Sequence, residues 1–387
     1  MHLMRKRRNR RLGRTGKKIL SLCLVAAILA VCIKVAAVSA PYIEKFTQQA
    51  AVLSAVLGMP DGGLSLIRQR FADEIDDGEE ESDPYVTPPS TTQPESESSE
   101  ESQSESSSSS ESIQVEPVPE ENRGPIVERT YTAQAGGIYI PLDHGFLKNS
   151  TELSNSDVQA QLDEAWDLDL STPEEPTVLI YHTHATEAYE PVTRDYYDDR
   201  YNSRSTEQDK NMIRVGDEIA KQLEAAGIGV IHDTTLHDYP SYNGAYERSA
   251  ETIQKYLDEY PSIKITIDVH RDAIEESDGT RIAPVAEIDG KKAAQIMIIS
   301  GCDDGTMNMP NWPDNLRFSA AFQSQMEADY PGLTRPIFFC YRLYNMNKTP
   351  GSLLLEFGAH GNSLEEAVYS GELCGKALTE LILSQGE

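Results

Sequence analysis

TVLIYHTHATE, residues 177–187, frames the whole chain. Its first five residues are almost wholly aliphatic, β-branched or aromatic, the composition of a strand buried on both faces. The run ends abruptly in a polar cluster with two histidines two residues apart and a glutamate three further on. Working outward, residues 211–226 form an amphipathic helical pattern stopped at Gly227, and residues 229–231 a short strand. Residues 245–260 read as a second helix, and KITIDV (264–269) and QIMIIS (295–300) as strands. Residues 315–329 are helical, SLLLEF (352–357) is the last strand, and a helix runs over 363–383. Strands alternating with helices predict an α/β fold whose mostly parallel sheet is sandwiched between helices. Residues 124–175 are a preface of uncertain structure, and no internal repeat is visible.

The N-terminal part reads differently. Nine of the cations of this 387-residue chain lie in residues 5–18, and the formal net charge is −29, so the rest of the chain carries −38. A body this acidic repels nucleic acid and has no basic groove to hold it. Residues 19–40 are apolar except for Lys34. As a helix they span about 33 Å, enough for a bilayer's hydrocarbon core. The basic block before them predicts a cytoplasmic N-terminus and an extracytoplasmic remainder. A cleaved signal peptide ending at AVSA (37–40) is the competing reading; the length of the run favours an uncleaved anchor. Residues 41–75 are a juxtamembrane segment with helical potential. Residues 76–123 form a Ser/Glu/Pro-rich linker, including SESSSSSES, with too little apolar content to fold. Over residues 83–121, taken as a flexible coil, its mean reach is roughly 35 Å. The five cysteines are odd in number and show no CxxC spacing, which indicates neither a disulfide framework nor a cysteine-ligated metal.

Three polar clusters stand where apolar strands end. His182, His184 and Glu187 follow TVLIY; Asp268, His270, Arg271 and Asp272 close the strand of KITIDV; Glu356 ends SLLLE, with His360 and Asn362 beyond. Open α/β sheets bind ligands outside the carboxyl ends of their strands, so a parallel sheet would gather all three at one edge. Imidazoles and carboxylates at such an edge point to metal-assisted hydrolysis: three protein ligands hold zinc, and a further carboxylate takes a proton from water. Each cluster alone is equally a set of hydrogen-bonded structural residues. The His–Asp sequences at His232 and His237 read as structural pairs or substrate contacts, and Cys302 and Cys340 as small core residues.

VLIYHTHATEAY (178–189), HDTTLHDYPSYNGAYERS (232–249), IDVHRDA (267–273) and PGSLLLEFGAHGNSLEEA (350–367) resemble the stage II sporulation protein P family. The resemblance runs from about residue 176 to the C-terminus. More distantly, the pattern is similar to the zinc N-acetylmuramoyl-L-alanine amidases. The resemblance implies a zinc amidase-like fold and cleavage of the amide between muramic acid and L-alanine, with endopeptidase activity on peptide crosslinks. It places His184 at the amidases' first zinc histidine, His270 at their strand-end histidine and Glu356 at their catalytic glutamate. Glu207, four residues before Asn211, fits the spacing of the remaining ligand and is preferred. Glu187 lies closer to His184 but has no amidase equivalent. His182 stands where the amidases have proline, as a substrate contact or a partner behind the ligands. Arg271 is placed to hold a substrate carboxylate or an oxyanion, or to pair with Asp268 or Asp272. The family also implies peptidoglycan as substrate and a membrane complex with the stage II sporulation proteins D and M during engulfment. A non-catalytic wall-binding scaffold and a zinc carboxypeptidase are the alternatives; the complete set of histidines and Glu356 favours the hydrolase.

Overall fold

The computed structural model describes residues 117–168, 170 and 175–385, all within the unit Glu101–Glu387. The basic block, the anchor expected at 19–40, the juxtamembrane segment and the linker up to residue 116 lie outside the described residues. Among the described residues no helix is long and apolar enough to cross a membrane.

The preface is folded. After a 3-10 turn at Glu120–Asn122 come β1 (Arg123–Arg129), β2 (Tyr139–Pro141), β3 (Phe146–Asn149) and α1 (Asn155–Leu162). The anticipated alternation follows: β4 (Pro176–Tyr181), β5 (Tyr196–Asp198), α2 (Ile213–Ala225), β6 (Gly229–His232), α3 (Ala245–Glu259) and β7 (Ile265–Asp272). A hairpin of β8 (Arg281–Ile288) and β9 (Lys291–Ala294) leads into β10 (Ile296–Gly301). Then come α4 (Trp312–Asp329), β11 (Ile337–Cys340), β12 (Gly351–Ala359) and α5 (Leu364–Ser384).

Two sheets form, ordered β2-β3-β11-β10-β12-β7-β4-β6 and β5-β1-β8-β9. β12, β7, β4 and β6 run parallel, but β10 runs against β12, β2 against β3, β5 against β1 and β9 against β8. The expectation of a mostly parallel sheet is corrected: both sheets are mixed. A parallel neighbour needs a crossover, usually helical. Between β7 and β10 the chain makes the β8–β9 hairpin instead, and β10 enters antiparallel to β12.

The two faces of the large sheet are unequally covered. Val178, Ile180, Ile265, Ile267, Val269, Leu353 and Leu355 point to one face and join Ile219 of α2, Phe322 of α4 and Leu378 of α5 in the largest core cluster. On the other face Leu179 and Tyr181 meet Ile253 of α3 and Ile263 in a much smaller cluster. A fully buried Leu, Ile or Phe contributes about 1.5–3 kcal/mol, so the many-helix face carries most of the stabilisation. The thinner face has room for polar residues, and Asp268, His270 and Glu356 point there, because side chains alternate along a strand. Cys302, Cys340 and Cys374 are buried in the fold, as small core residues.

Candidate active site

Strand register assembles the site. Tyr181 of β4 lies opposite Asp268 of β7, and His270 lies opposite Glu356 of β12. The three clusters thus meet at the carboxyl ends of three adjacent parallel strands. A β-bulge follows Glu356, with Gly358 at φ +63. A Cβ at Gly358 would stand 2.4 Å from the side-chain oxygen of Asn362, whose own bond to Ala359 N (2.9 Å) holds the turn. Bulges of this kind re-aim a strand at its end.

His184 and His270 are buried and face each other edge to face, ring centroids 5.2 Å apart and planes at 84°. Glu187, also buried, brings Oε2 to 3.7 Å from His270 Nδ1 and accepts the backbone N–H of Arg271 at 3.1 Å. Glu207 does not join them. It is exposed and pairs with Lys210 at 2.6 Å. The preference for Glu207 is therefore reversed on geometry: the carboxylate beside the histidines is Glu187.

Hydrogen bonding separates the histidines by role. His182 Nδ1 donates to Val269 O (3.0 Å), and its Nε2 meets His232 Nε2 at 2.8 Å. His237 Nδ1 donates to His182 O (2.8 Å), and its Nε2 accepts from Thr252 Oγ1 (2.9 Å). His232 reaches Asp217, 3.2 Å away, rather than the adjacent Asp233. These rings are fully engaged. By contrast, His184 Nδ1 and His270 Nε2 are buried without a hydrogen-bond partner, as is Glu356 Oε2. His270 Nε2 does lie 2.9 Å from Asp268 Oδ1, close but without the alignment of a hydrogen bond.

The electrostatics follow from this crowding. Burial, then the neighbouring cations His270, Arg204, Arg271 and Arg248, hold His184 well below the usual histidine range, so it is a neutral imidazole. At His270 burial acts against the charge, but Asp268, Glu187 and Glu356 outweigh it and raise the pKa to about 10. Burial, then the carboxylates of Asp272 and Glu187, push Glu356 well above the usual carboxyl range, partly offset by His270. A carboxyl so placed binds a proton more tightly than one in water.

Arg271 is not presented to a ligand. Its Nε donates to Ala188 O (2.7 Å), Nη2 to Ser203 O (2.9 Å) and Nη1 to Asp272 O (3.3 Å). It clamps the segment between β4 and α2 rather than pairing with Asp268 or the Asp272 carboxylate. His360 is buried beside Arg271 and Arg281, and burial followed by those cations lowers it to about 2.

Among the described residues no group of three or more His, Cys, Asp or Glu side chains is gathered tightly enough to hold a metal ion as it stands. The donor chemistry nevertheless fits zinc. Two buried imidazoles with unsatisfied ring nitrogens meet a carboxylate, the N/O set that zinc takes. Sequence reasoning missed the aromatic wall over the site. Tyr242 stacks on His184 at 4.3 Å and 7°, and Tyr246 stands edge-on to His184 at 5.5 Å and stacks on Tyr344 at 5.1 Å. The tyrosine-rich stretch 239–246 was the available signal.

Among solved structures, the chain is similar to the N-acetylmuramoyl-L-alanine amidase AmiC2 of Nostoc punctiforme, with 11% identity and a TM-score of 0.32 over 54% of this chain and 96% of that one. It is similar also to the CwlD amidase from Clostridioides difficile in complex with the GerS lipoprotein (14%, 0.33, 54% and 98%). A metallo-carboxypeptidase from Burkholderia cenocepacia is similar at 8% and 0.31, over 56% and 60%. Overlaps this loose carry no argument about activity. In sequence, the chain is 28% identical over 222 residues to the stage II sporulation protein P of Bacillus subtilis (strain 168), matching 54% of this chain and 52% of that protein. The chain thus spans about half the length of this curated relative. The family model of stage II sporulation protein P matches residues 66–379, most of the chain, which therefore belongs to the stage II sporulation protein P family.

Proposed function

We propose that the chain is a zinc-dependent peptidoglycan hydrolase, cutting the amide between muramic acid and L-alanine and, at the same site, peptide crosslinks. One observation carries the reading. His184 and His270, the two histidines of the cluster with buried ring nitrogens lacking a partner, meet Glu187 and Glu356 where three strands end. Family membership supports the choice of wall substrate and a sporulation setting. His184, His270 and Glu187 would hold the zinc. When bound, zinc supplies Lewis acidity that polarises the scissile carbonyl and makes water a stronger acid. Glu356 takes the proton as the water oxygen bonds to the carbonyl carbon. It returns that proton to the amide nitrogen as the C–N bond breaks, so the amine leaves neutral. Burial raises the Glu356 carboxyl, which makes its carboxylate a stronger base for taking the water's proton. Tyr242 and Tyr246 shield the His184 ring from bulk water. The basic block and apolar segment support a membrane tether, and the family supports work beside proteins D and M during engulfment.

The test is mass analysis of fragments released from purified peptidoglycan by the full chain in detergent, with and without chelator. New L-alanine amino termini, lost on chelation and restored by zinc, are expected. Tight binding to the wall with no fragment release by the zinc-loaded chain would leave the scaffold reading instead.

A further inference from the structure

The aromatic wall holds one polar group that the fold leaves unused. Tyr246 sits in the first turn of α3, just past Gly244, whose φ of +82 turns the chain into the helix. Its ring stands edge-on to His184, centroids 5.5 Å apart at 84°, and lies nearly parallel to His270, at 6.5 Å and 13°. It thus borders both histidines of the site. Tyr344 stacks on it at 5.1 Å and 15°. That support costs backbone strain: Tyr344 and Asn345 have φ of +36 and +56, a left-handed conformation that residues other than glycine seldom take. Asn345 holds the turn, because its Nδ2 donates to Tyr246 O (3.0 Å) and to Ser249 Oγ (3.0 Å). Strain of this kind persists where the surroundings over-determine it, and it clusters at active sites. Here both strained residues bear on Tyr246, one by its ring and the other by its amide. The Tyr246 carbonyl is bonded twice, since Ser249 Oγ also donates to it at 3.1 Å. The phenol hydroxyl, by contrast, has no hydrogen bond among the described residues. Burial, then Tyr344, Asp268, Tyr242 and Glu356 raise it well above the usual phenol range, so it keeps its proton and is a donor.

We propose that Tyr246 is a catalytic residue: its hydroxyl donates a hydrogen bond to the scissile carbonyl oxygen as that oxygen gains negative charge. The inference rests on the hydrolase reading above and deepens it. As the water oxygen bonds to the carbonyl carbon, the π pair of C=O moves onto its oxygen and Glu356 takes the water's proton. The Tyr246 O–H meets the charged oxygen and keeps its own proton throughout. When the pair returns to re-form C=O, the C–N bond breaks and the nitrogen takes the proton from Glu356. Protons and charge therefore balance with none drawn from the phenol. A donor of this kind is worth most when it is already oriented, because nothing has to turn as the charge develops. The stack on Tyr344, the strained turn and the doubly bonded carbonyl supply that orientation.

The test is Tyr246→Phe in the full chain in detergent, assayed on a soluble N-acetylmuramoyl-peptide. The ring and its stacking stay, and only the hydroxyl goes. Removing one such donor typically costs about 100- to 1,000-fold in kcat. That loss is expected with KM, zinc content and circular dichroism melt close to the parent's. A second readout needs no turnover: binding of a phosphinate whose tetrahedral phosphorus replaces the scissile carbonyl carbon. Its affinity should fall by about the same factor as kcat/KM, while the chelated parent and variant bind the intact muramoyl-peptide equally well. A variant that turns over and binds the phosphinate like the parent overturns the inference and leaves the hydrolase reading standing. A variant that unfolds or loses its zinc also overturns it, because the hydroxyl would then serve the fold or the metal rather than the substrate. A parent that cleaves nothing when loaded with zinc overturns both.

Discussion

Glu187 and Glu207 are the same residue type, and spacing alone favoured the one that lies away from the histidines. What separates them is burial: Glu187 is enclosed beside His270, while Glu207 lies in solvent against Lys210. Glu187→Gln should therefore remove most of the bound zinc, and Glu207→Gln should leave zinc content unchanged, both read by elemental analysis of the purified full chain. The opposite pattern would restore the first expectation. Glu356→Gln keeps shape and hydrogen bonding but cannot carry a proton. It should keep its zinc and lose about a hundred- to ten-thousand-fold in fragment release; lost zinc would instead move Glu356 among the ligands. That His184, His270 and Glu356 gather at one place was legible because each stands at or just beyond the end of an apolar strand. The approach of Asp268 to His270 was not, because its 2.9 Å depends on side-chain rotamers rather than on spacing. The surroundings of Arg271 were not readable either: two of its three backbone acceptors, Ala188 and Ser203, lie in segments that only the fold brings to it.

The helices and inner strands were legible because their burial is periodic and their lengths ample. α2, α3, α4, α5, β4, β7, β10 and β12 all fall within a few residues of where apolar periodicity placed them. What periodicity did not reveal are short or outer strands. β1 pairs with β5 and β8, and β3 with β11, partners far along the chain, and strands of three or four residues leave no readable alternation. The orientation of β10 was hidden too, because it depends on the connection rather than on the strand. One contact between elements invites a direct test. α2 and α5 approach at Gly371, where a Cβ would stand 2.9 Å from the carbonyl oxygen of Val215. That oxygen belongs to helix backbone and cannot step aside. Gly371→Leu gains about 1 kcal/mol in helix propensity but overpacks the contact, typically at about 1–3 kcal/mol; the extra branched bulk puts this case at the upper end. A net loss of about 2 kcal/mol is expected, seen as a lower melting temperature with zinc affinity retained by the folded fraction. An unchanged or raised melt would mean that the two helices separate easily.

At the scale of the whole molecule, an acidic folded body begins near residue 117, preceded by residues whose composition forms first a basic block, then an apolar run, then a Ser/Glu/Pro tract. Each composition has one physical consequence for topology. Cations resist transfer across the membrane, twenty-two mostly apolar residues suffice to span it, and a tract poor in apolar side chains stays open to proteases. Together they support the proposal that the folded body works outside the cytoplasm on a cuttable tether. Protease added to intact protoplasts carrying a C-terminal tag should therefore cut within residues 76–116. It should release a tagged fragment starting near residue 117, while an N-terminal tag stays with the membrane. The buried core of the large sheet should protect that fragment from further digestion, and it should keep its zinc. Release into the medium without protease would mean that the apolar segment is cleaved as a signal peptide, with the body still outside. A tagged body left intact until the protoplasts are lysed would place it in the cytoplasm, away from any wall substrate, and the proposed hydrolase would lose its access to peptidoglycan.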